Sequence, residues 1–300
     1  MIYRNKLRIP YKAYALICLR KCDIINLPIN KNLTERYDLI SVQHYKRRQI
    51  MTIFKGNKHT LINVVVAIVI LALAASVVIL AIRLRNSELD NYTAEMQEYY
   101  DNKCQSFATQ NANSARGQIV FVGDSITDLY ILDDHYSDLP LACYNRGIGG
   151  DTTAGVLKRL DVSVLDLEPS IVVLMIGTND INGGLSEKGI LERYSRIIEK
   201  IRSALPDARL YCMSITPENA EIEEYTAIKL ADTTAKILRI NPELRRIAEE
   251  KGATYLDLFS LLADENGHLI REYSDDGLHL NFNGLSVWTE LLKPYFLNEK

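Results

Sequence analysis

Between residues 118 and 258 the chain alternates short apolar runs with longer stretches that have a helical spacing of apolar positions. Most of the apolar runs are continuous, which is typical of strands covered on both faces. The predicted strands are residues 118–122, 141–145, 171–176, 209–215 and 253–258. The predicted helices are residues 152–166, 187–204, 221–240, 242–251 and 283–296. This alternation predicts one doubly wound α/β domain with a parallel five-stranded sheet.

One of these helices has residues that favour defined ends. Asn241 is a good N-cap, Pro242 suits the first helical position, and Gly252 suits the position just past the end. These residues predict a separate helix over residues 242–251.

A second pattern precedes this domain. The 22 residues from Leu61 to Ile82 include no charged side chain, and a helix rising about 1.5 Å per residue would then cross the roughly 30 Å hydrocarbon core of a bilayer. A buried core helix and a cleaved signal peptide, with small residues at 72–74, are the alternatives. Apolar sequence continuing to Ile82 favours an uncleaved transmembrane helix.

Charge divides the chain on either side of that helix. Residues 1–60 hold 13 Lys or Arg and 3 Asp or Glu, whereas residues 86–300 hold 20 basic and 35 acidic residues. The positive flank predicts a cytoplasmic N-terminus and an extracytoplasmic globular domain. The acidic balance of that domain argues against nucleic acid as a partner. We therefore expect a basic cytoplasmic segment (1–60), a membrane helix (61–82), a polar stalk (83–116, with a linker at 105–116) and a catalytic domain (117–300).

The first fifty residues have no sustained apolar period. Met51 starts a more familiar arrangement of a short polar stretch followed by the apolar helix, so we hypothesise that translation begins there. Mass spectrometry of the native protein tests this: recovery of a peptide from residues 12–46 would rule it out.

Three glycine-containing turns follow the first three predicted strands, at residues 123–125, 145–151 and 177–180. Ligands of doubly wound sheets bind beyond the carboxyl ends of the strands, so these turns are expected to share one rim. The triplet Gly147, Gly149 and Gly150 does not have the G-x-G-x-x-G spacing of a dinucleotide site, because position 152 is Thr.

Ser125 lies in the first turn, and Asp276 stands three residues before His279 near the C-terminus. A serine hydroxyl becomes a useful nucleophile when a histidine takes its proton and a carboxylate orients that histidine. Asp275 competes with Asp276 for the orienting role, and the spacing favours Asp276. The Gly150 N–H and the Asn179 side-chain amide are candidate donors to an oxyanion.

Four ordered blocks carry a family resemblance: residues 123–126, 145–153, 177–180 and 276–280. They resemble the sequence blocks of the SGNH (GDSL-type) hydrolases, over about residues 117–297. The resemblance implies a flavodoxin-like three-layer fold with Ser125 as nucleophile, His279 as base and Asp276 as orienter. It implies Ser125, Gly150 and Asn179 as the oxyanion donors. We expect the reaction to need no cofactor and no metal.

Other residues with reactive or aromatic side chains have ordinary interpretations. The five cysteines have no spacing that indicates a disulfide framework or a zinc site, and Cys143 and Cys212 are expected to be buried small hydrophobes. His135 and His268 lie in polar surroundings and are expected at the surface. Trp288 and Phe282 are expected to pack in the core, with an acyl pocket as the alternative.

Together these features predict a membrane-anchored extracytoplasmic serine esterase that hydrolyses short-chain esters, such as acetyl esters of a carbohydrate or small molecule. A short acyl group is expected because the chain has no long insertion between the motifs. One alternative is an O-acyltransferase with the same site, because ester hydrolysis and acyl transfer share the acyl-enzyme and differ only in the nucleophile that arrives second. Another alternative is a lysophospholipase-like lipid esterase with the same site. A non-catalytic carbohydrate-binding module is the alternative of another class.

Overall fold

The structure is a computed structural model that describes residues 43, 44, 47, 48, 58–222 and 233–297. It divides into two compact units, Met1–Leu89 and Asp90–Lys300. Helix α1 (Lys58–Asn111) begins in the first unit and ends in the second. The proposed extension at residues 1–50 and the start at Met51 lie almost wholly outside the described residues.

The first unit contains the apolar part of α1. Its large apolar side chains between Leu61 and Ile82 are exposed to solvent. The mean hydropathy of its most apolar window reaches 3.3, and none of that window is buried. In length and composition this helix is able to cross a membrane, whereas a buried core helix would have its apolar side chains covered.

The second unit is built around a parallel sheet of five strands in the order β2-β1-β3-β4-β5. The strands are β1 (Ile119–Gly123), β2 (Cys143–Gly147), β3 (Ile171–Met175), β4 (Arg209–Met213) and β5 (Thr254–Leu256). Gly123 at the end of β1 is in register with Gly147 on one side and Met175 on the other. The doubly wound α/β fold predicted from the sequence is confirmed, and the strand order puts the ends of β2 and β3 on either side of Ser125.

Helices cover both faces of the sheet. They are α2 (Ser125–Asp128), α3 (Leu132–Tyr136), α4 (Thr153–Ser163), α5 (Thr178–Asn182), α6 (Glu187–Ala204), α7 (Thr233–Glu250), α8 (Phe259–Leu262) and α9 (Phe282–Leu297). Short 3₁₀ helices lie at Leu165–Leu167 and Arg271–Tyr273.

Alternate residues of each strand point into two separate cores. Val120 and Val122 of β1 pack with α4, α6 and α7, whereas Ile119 and Phe121 pack with α3, α8 and α9. This division is the expected consequence of the side-chain period of two in a strand. Helices thus cover both faces of the sheet, and its carboxyl edge is left for loops.

The region of α7 differs from the sequence-based prediction. A helix starting at Pro242 with Asn241 as its cap is wrong: α7 runs without interruption from Thr233 to Glu250 and contains Pro242. The Asn241 side chain accepts a hydrogen bond from Ile215 N (2.9 Å) and donates one to Ile215 O (2.9 Å). Asn241 therefore satisfies backbone groups beyond β4 and does not cap a helix. The predicted end at Gly252 is confirmed, with a left-handed φ of 72°.

The end of α1 also differs from expectation. Residues 105–111, expected to belong to a linker, are helical. Phe107 is 3% exposed and Asn111 is 7% exposed, and the Asn111 amide donates to Val162 O (2.7 Å). Half-buried and buried residues recur on one face of this helix at the i, i+3 and i+4 spacing, which a search for long apolar runs does not detect.

The Asn241 contact generates a stability prediction. Asn241→Ala leaves the Ile215 N–H and C=O without their partners, so we expect the free energy of unfolding to fall by about 1–3 kcal/mol. Urea unfolding of the detergent-solubilised protein measures this. Asn266→Ala, at an exposed turn position, is the matched control. Equal stability of the two variants would contradict the structural role of Asn241.

Candidate active site

Ser125 stands directly beyond β1, at the first position of the four-residue helix α2. Asp124 precedes it as the N-cap, and its side chain accepts a hydrogen bond from Ile126 N (3.1 Å). Gly147, at the end of β2, lies so close to α2 that an added Cβ would be 2.2 Å from Asp128 N. The Asn145 amide donates to Thr127 O (2.7 Å), so the end of β2 fixes the helix that carries Ser125.

His279 is presented by the loop before α9. Asp276 Oδ1 accepts hydrogen bonds from Leu278 N (2.9 Å) and His279 N (2.8 Å), which makes the segment a compact turn. Gly277 has a φ of 83°, and a Cβ at that position would lie 2.2 Å from Asn219 O. Only glycine is accommodated there without distortion, and this close approach fixes the loop against the segment that follows β4.

The turn brings together the two groups that the sequence predicted. His279 Nδ1 lies 2.6 Å from Asp276 Oδ2, and His279 Nε2 lies 2.9 Å from Ser125 Oγ. With a proton on Nδ1 directed at the carboxylate, Nε2 is free to accept the serine proton. Asp275 instead accepts a hydrogen bond from the Asn281 amide (3.2 Å) and is exposed. The geometry thus favours Asp276 over Asp275.

The pKa of Asp276 is lowered from its ordinary value. Partial burial raises that pKa, but hydrogen bonds from the His279 side chain and from the Leu278 and His279 backbone amides outweigh burial. The carboxylate is therefore ionised at neutral pH and able to stabilise a positively charged imidazole.

The oxyanion candidates lie on the loops after β2 and β3. Gly150 is exposed at the turn before α4, and among the described residues its N–H has no hydrogen-bond acceptor. The Asn179 amide donates one hydrogen bond to Asp151 O (2.9 Å) and keeps a second N–H. The backbone N–H of Ser125 stands at the start of α2, where no intrahelical acceptor exists. The two loops and the start of α2 therefore offer three N–H groups at the carboxyl edge of the sheet.

A buried arginine that the sequence analysis missed joins these loops. Arg159 of α4 is 3% exposed, and its Nε lies 2.7 Å from Asp151 Oδ2. Its Nη2 donates to Gly123 O (2.9 Å) and its Nη1 to Arg146 O (2.8 Å). One guanidinium thus ties the ends of β1 and β2 to the residue after Gly150. Arg159 shares a helix face with the apolar residues Val156 and Leu160. This position of a cation on an apolar face could have indicated that Arg159 is buried.

Two acidic residues next to the site, Asp180 and Asp124, are buried. Asp180 is 2% exposed and accepts hydrogen bonds from Thr153 N (2.8 Å) and Thr153 Oγ1 (2.7 Å). It thereby joins α5 to the start of α4. Burial raises the pKa of Asp124 to about 7, and the nearby carboxyls of Asp151 and Asp180 add to this increase.

The remaining predicted residues have mixed outcomes. Trp288 is fully buried in the core, as expected, whereas Phe282 is 66% exposed and does not pack there. His135 is only partly exposed, because its Nδ1 lies 2.9 Å from Thr289 Oγ1 and its ring stacks on Phe282. His268 is also partly exposed.

The cysteines and acidic residues of the described ranges form no ligand cluster. Cys212 is buried, whereas Cys143 is half-buried. Within residues 58–222 and 233–297, no group of three or more His, Cys, Asp or Glu side chains is arranged to hold a metal ion.

Comparison with known proteins places this site in a family context. A family model described as GDSL-like Lipase/Acylhydrolase matches residues 121–285. A platelet-activating factor acetylhydrolase IB subunit alpha1 from Bos taurus is 34% identical over 103 residues, which cover 33% of this chain and 44% of the relative. The chain thus spans less than half the length of this curated relative.

Solved structures also resemble this chain over about two thirds of its length. A protein from Streptococcus pneumoniae described as a platelet activating factor aligns with a TM-score of 0.65 and 27% identity, covering 69% of this chain and 97% of that protein. A GDSL-like lipase from Bacteroides thetaiotaomicron aligns with a TM-score of 0.57 and 24% identity, covering 65% of this chain and 97% of that one. The latter likeness concerns the fold alone.

The two adjacent carboxylates generate a paired prediction. Asp276→Asn retains the shape of the loop but removes the charge that orients His279, so we expect kcat for ester hydrolysis to fall by up to about 10⁴-fold. Asp275→Asn, the control, should retain nearly wild-type kcat. Steady-state kinetics on one ester substrate compare the two, and equally harmful substitutions would disprove the orienting role of Asp276.

Proposed function

The chain belongs to the GDSL-like Lipase/Acylhydrolase family and is an ester hydrolase, and on that premise we propose that it is a membrane-anchored extracytoplasmic serine esterase. The observation that carries this proposal is the continuous contact from Asp276 through His279 to Ser125, with distances of 2.6 and 2.9 Å. The contact joins residues that are 154 positions apart in sequence, and a carboxylate, an imidazole and a serine hydroxyl in this order are the groups that activate a serine nucleophile.

Acyl transfer proceeds in two steps. His279 Nε2 takes the proton of Ser125 as Oγ bonds to the ester carbonyl carbon, and the protonated imidazole then gives that proton to the leaving alcohol. Water attacks the acyl-enzyme in the second step, its proton passing to His279 and then to Ser125 Oγ as the carboxylic acid leaves. Asp276 stabilises the imidazolium in both steps.

Negative charge on the carbonyl oxygen requires donors that are already in place. We assign this role to the N–H groups of Ser125 and Gly150 and to the Asn179 side-chain amide. Asn179 is oriented by its hydrogen bond to Asp151 O, so it does not reorganise during the reaction. Removal of one such donor typically costs about 10²- to 10³-fold in kcat.

The preferred acyl group is short. Curated relatives that match this chain, among them the Bos taurus subunit described above, carry the name acetylhydrolase. This name supports an acetyl ester, which we propose to be on a carbohydrate or another small alcohol. A lipid ester is the second candidate. The family description includes lipases, and Phe282, three residues after His279, presents an exposed aromatic ring that suits an apolar substrate.

Residues 61–82 form the anchor in this proposal. The exposed apolar side chains of α1 suit a lipid environment, and the basic residues that precede them favour a cytoplasmic N-terminus. The catalytic unit is then extracytoplasmic.

An ester panel on the detergent-solubilised full-length protein tests the function. We expect p-nitrophenyl acetate to be hydrolysed faster than the long-chain p-nitrophenyl esters, and Ser125→Ala to abolish both activities because no acyl-enzyme forms. Ser260 is exposed and lies far from β1 in sequence. Ser260→Ala therefore controls for the effect of replacing a serine outside the candidate site. Faster turnover of the long-chain esters would favour the lipid substrate, and full activity of Ser125→Ala would refute the proposed nucleophile.

A further inference from the structure

One face of α1 lies against the turn that contains Gly149 and Gly150. A Cβ added to Gly149 would lie 3.4 Å from the Tyr99 hydroxyl, and one added to Gly150 would lie 3.4 Å from Met96 Cε. Met96 and Tyr99 are three residues apart and therefore share a helix face. The helix thus contributes a wall to the candidate site from outside the family-matched residues 121–285.

Tyr99 makes hydrogen bonds with Asp128 of α2 and with Gly149 of the turn. Its hydroxyl donates to Asp128 Oδ2 and accepts from Gly149 N (3.2 Å). Gly149 N also donates to Asp128 Oδ2 (3.3 Å), so its N–H is shared between the two side chains. Lys103, one turn along α1, pairs with Asp128 Oδ1. Asp128 is the last residue of α2, the helix that begins at Ser125. Tyr99 is therefore hydrogen-bonded both to the helix of the proposed nucleophile and to the glycine turn.

The hydroxyl is suited to this double role. Burial, followed by the bond to Asp128, raises the pKa of Tyr99 above its ordinary value. The phenol therefore keeps its proton at neutral pH, which it needs to donate to Asp128 while accepting from Gly149.

The position of Gly149 affects the direction of the Gly150 N–H, the proposed oxyanion donor, because the next peptide unit joins the two glycines. On the other side of Gly150, Asp151 N donates to Ile148 O (3.1 Å). The peptide that carries the Gly150 N–H is therefore oriented by this turn hydrogen bond and by the position of Gly149, to which Gly150 is joined by a planar unit. A donor to an oxyanion is effective when its direction is fixed before the charge develops, and a small misplacement reduces the rate strongly.

We propose that Tyr99 is a positioning residue for the oxyanion site: it fixes the Gly149–Gly150 turn relative to α2 and so aims the Gly150 N–H at the developing charge. This inference rests on the proposed function. It makes α1 beyond the apolar segment part of the catalytic unit.

Tyr100 offers a matched control on the same helix. Its hydroxyl donates to Gly155 O (3.1 Å) on α4, so it also joins α1 to the domain but does not bond to the glycine turn. Replacing either tyrosine with phenylalanine removes one hydroxyl and keeps the ring.

The experiment compares Tyr99→Phe, Tyr100→Phe and Ser125→Ala in the full-length protein. We expect Tyr99→Phe to lower kcat by about 10- to 100-fold with KM close to wild type. The rate of labelling by a fluorophosphonate probe should fall by a similar factor, because that reaction also develops charge on an oxygen. Tyr100→Phe should match wild type in both rates. Rates are normalised to active sites by the labelling end point, so unfolded protein does not contribute.

A second measurement is independent of turnover. Hydrogen–deuterium exchange of the peptide containing Gly149 should be faster in Tyr99→Phe than in Tyr100→Phe. Equal exchange and equal rates in the two tyrosine variants, with Ser125→Ala inactive, would overturn the inference and leave the proposed function intact. An equal loss in both variants would show that the contacts only dock the helix, and would also overturn it. Full labelling of Ser125→Ala would overturn the proposed function and this inference with it.

Discussion

The carboxyl edge of the sheet depends on the buried guanidinium of Arg159. A charge removed from water is costly unless its donors are all engaged, and here they bind Asp151, Ser163 and the carbonyls of Gly123 and Arg146. Those carbonyls belong to the ends of the two strands that precede the proposed nucleophile and the glycine turn. The requirement to satisfy one buried cation therefore also fixes the spacing of two loops of the candidate site.

The loop after β3 is held to the loop after β2 by direct hydrogen bonds. The amide of Asn179 donates to Asp151 O, and the carboxyl of Asp180 accepts from Thr153, so the loop after β3 follows the position of the loop after β2. The His279 turn is instead built locally around Asp276 and is anchored where Gly277 O accepts from Asn219 N (2.8 Å). A rigid rim of this kind suits chemistry in which donors must not reorganise as charge develops.

The strands, the glycine turns and the Asp276–His279 pair were predictable from the sequence because each depends on a local pattern. Continuous apolar runs gave the five strands, and the glycine turns after three of them gave the loops of the site. The spacing between Asp276 and His279 selected the carboxylate that contacts the imidazole. Asn241 was misassigned because its cap-like pattern serves a tertiary contact with Ile215. Arg159 and Tyr99 act through partners distant in sequence. The apolar helix face around Arg159 could have indicated that its side chain is buried, but no local pattern identifies the partners of either residue.

The central claim is that Ser125 attacks an ester whose oxygen is received by the loops after β1, β2 and β3. A crystal structure of the full-length protein after reaction with a phosphonate ester inhibitor tests it most directly. The account predicts a phosphorus–oxygen bond to Ser125 Oγ, with a phosphoryl oxygen within hydrogen-bond distance of Ser125 N, Gly150 N and Asn179 Nδ2. An adduct on another residue, or a phosphoryl oxygen directed away from all three donors, would contradict it.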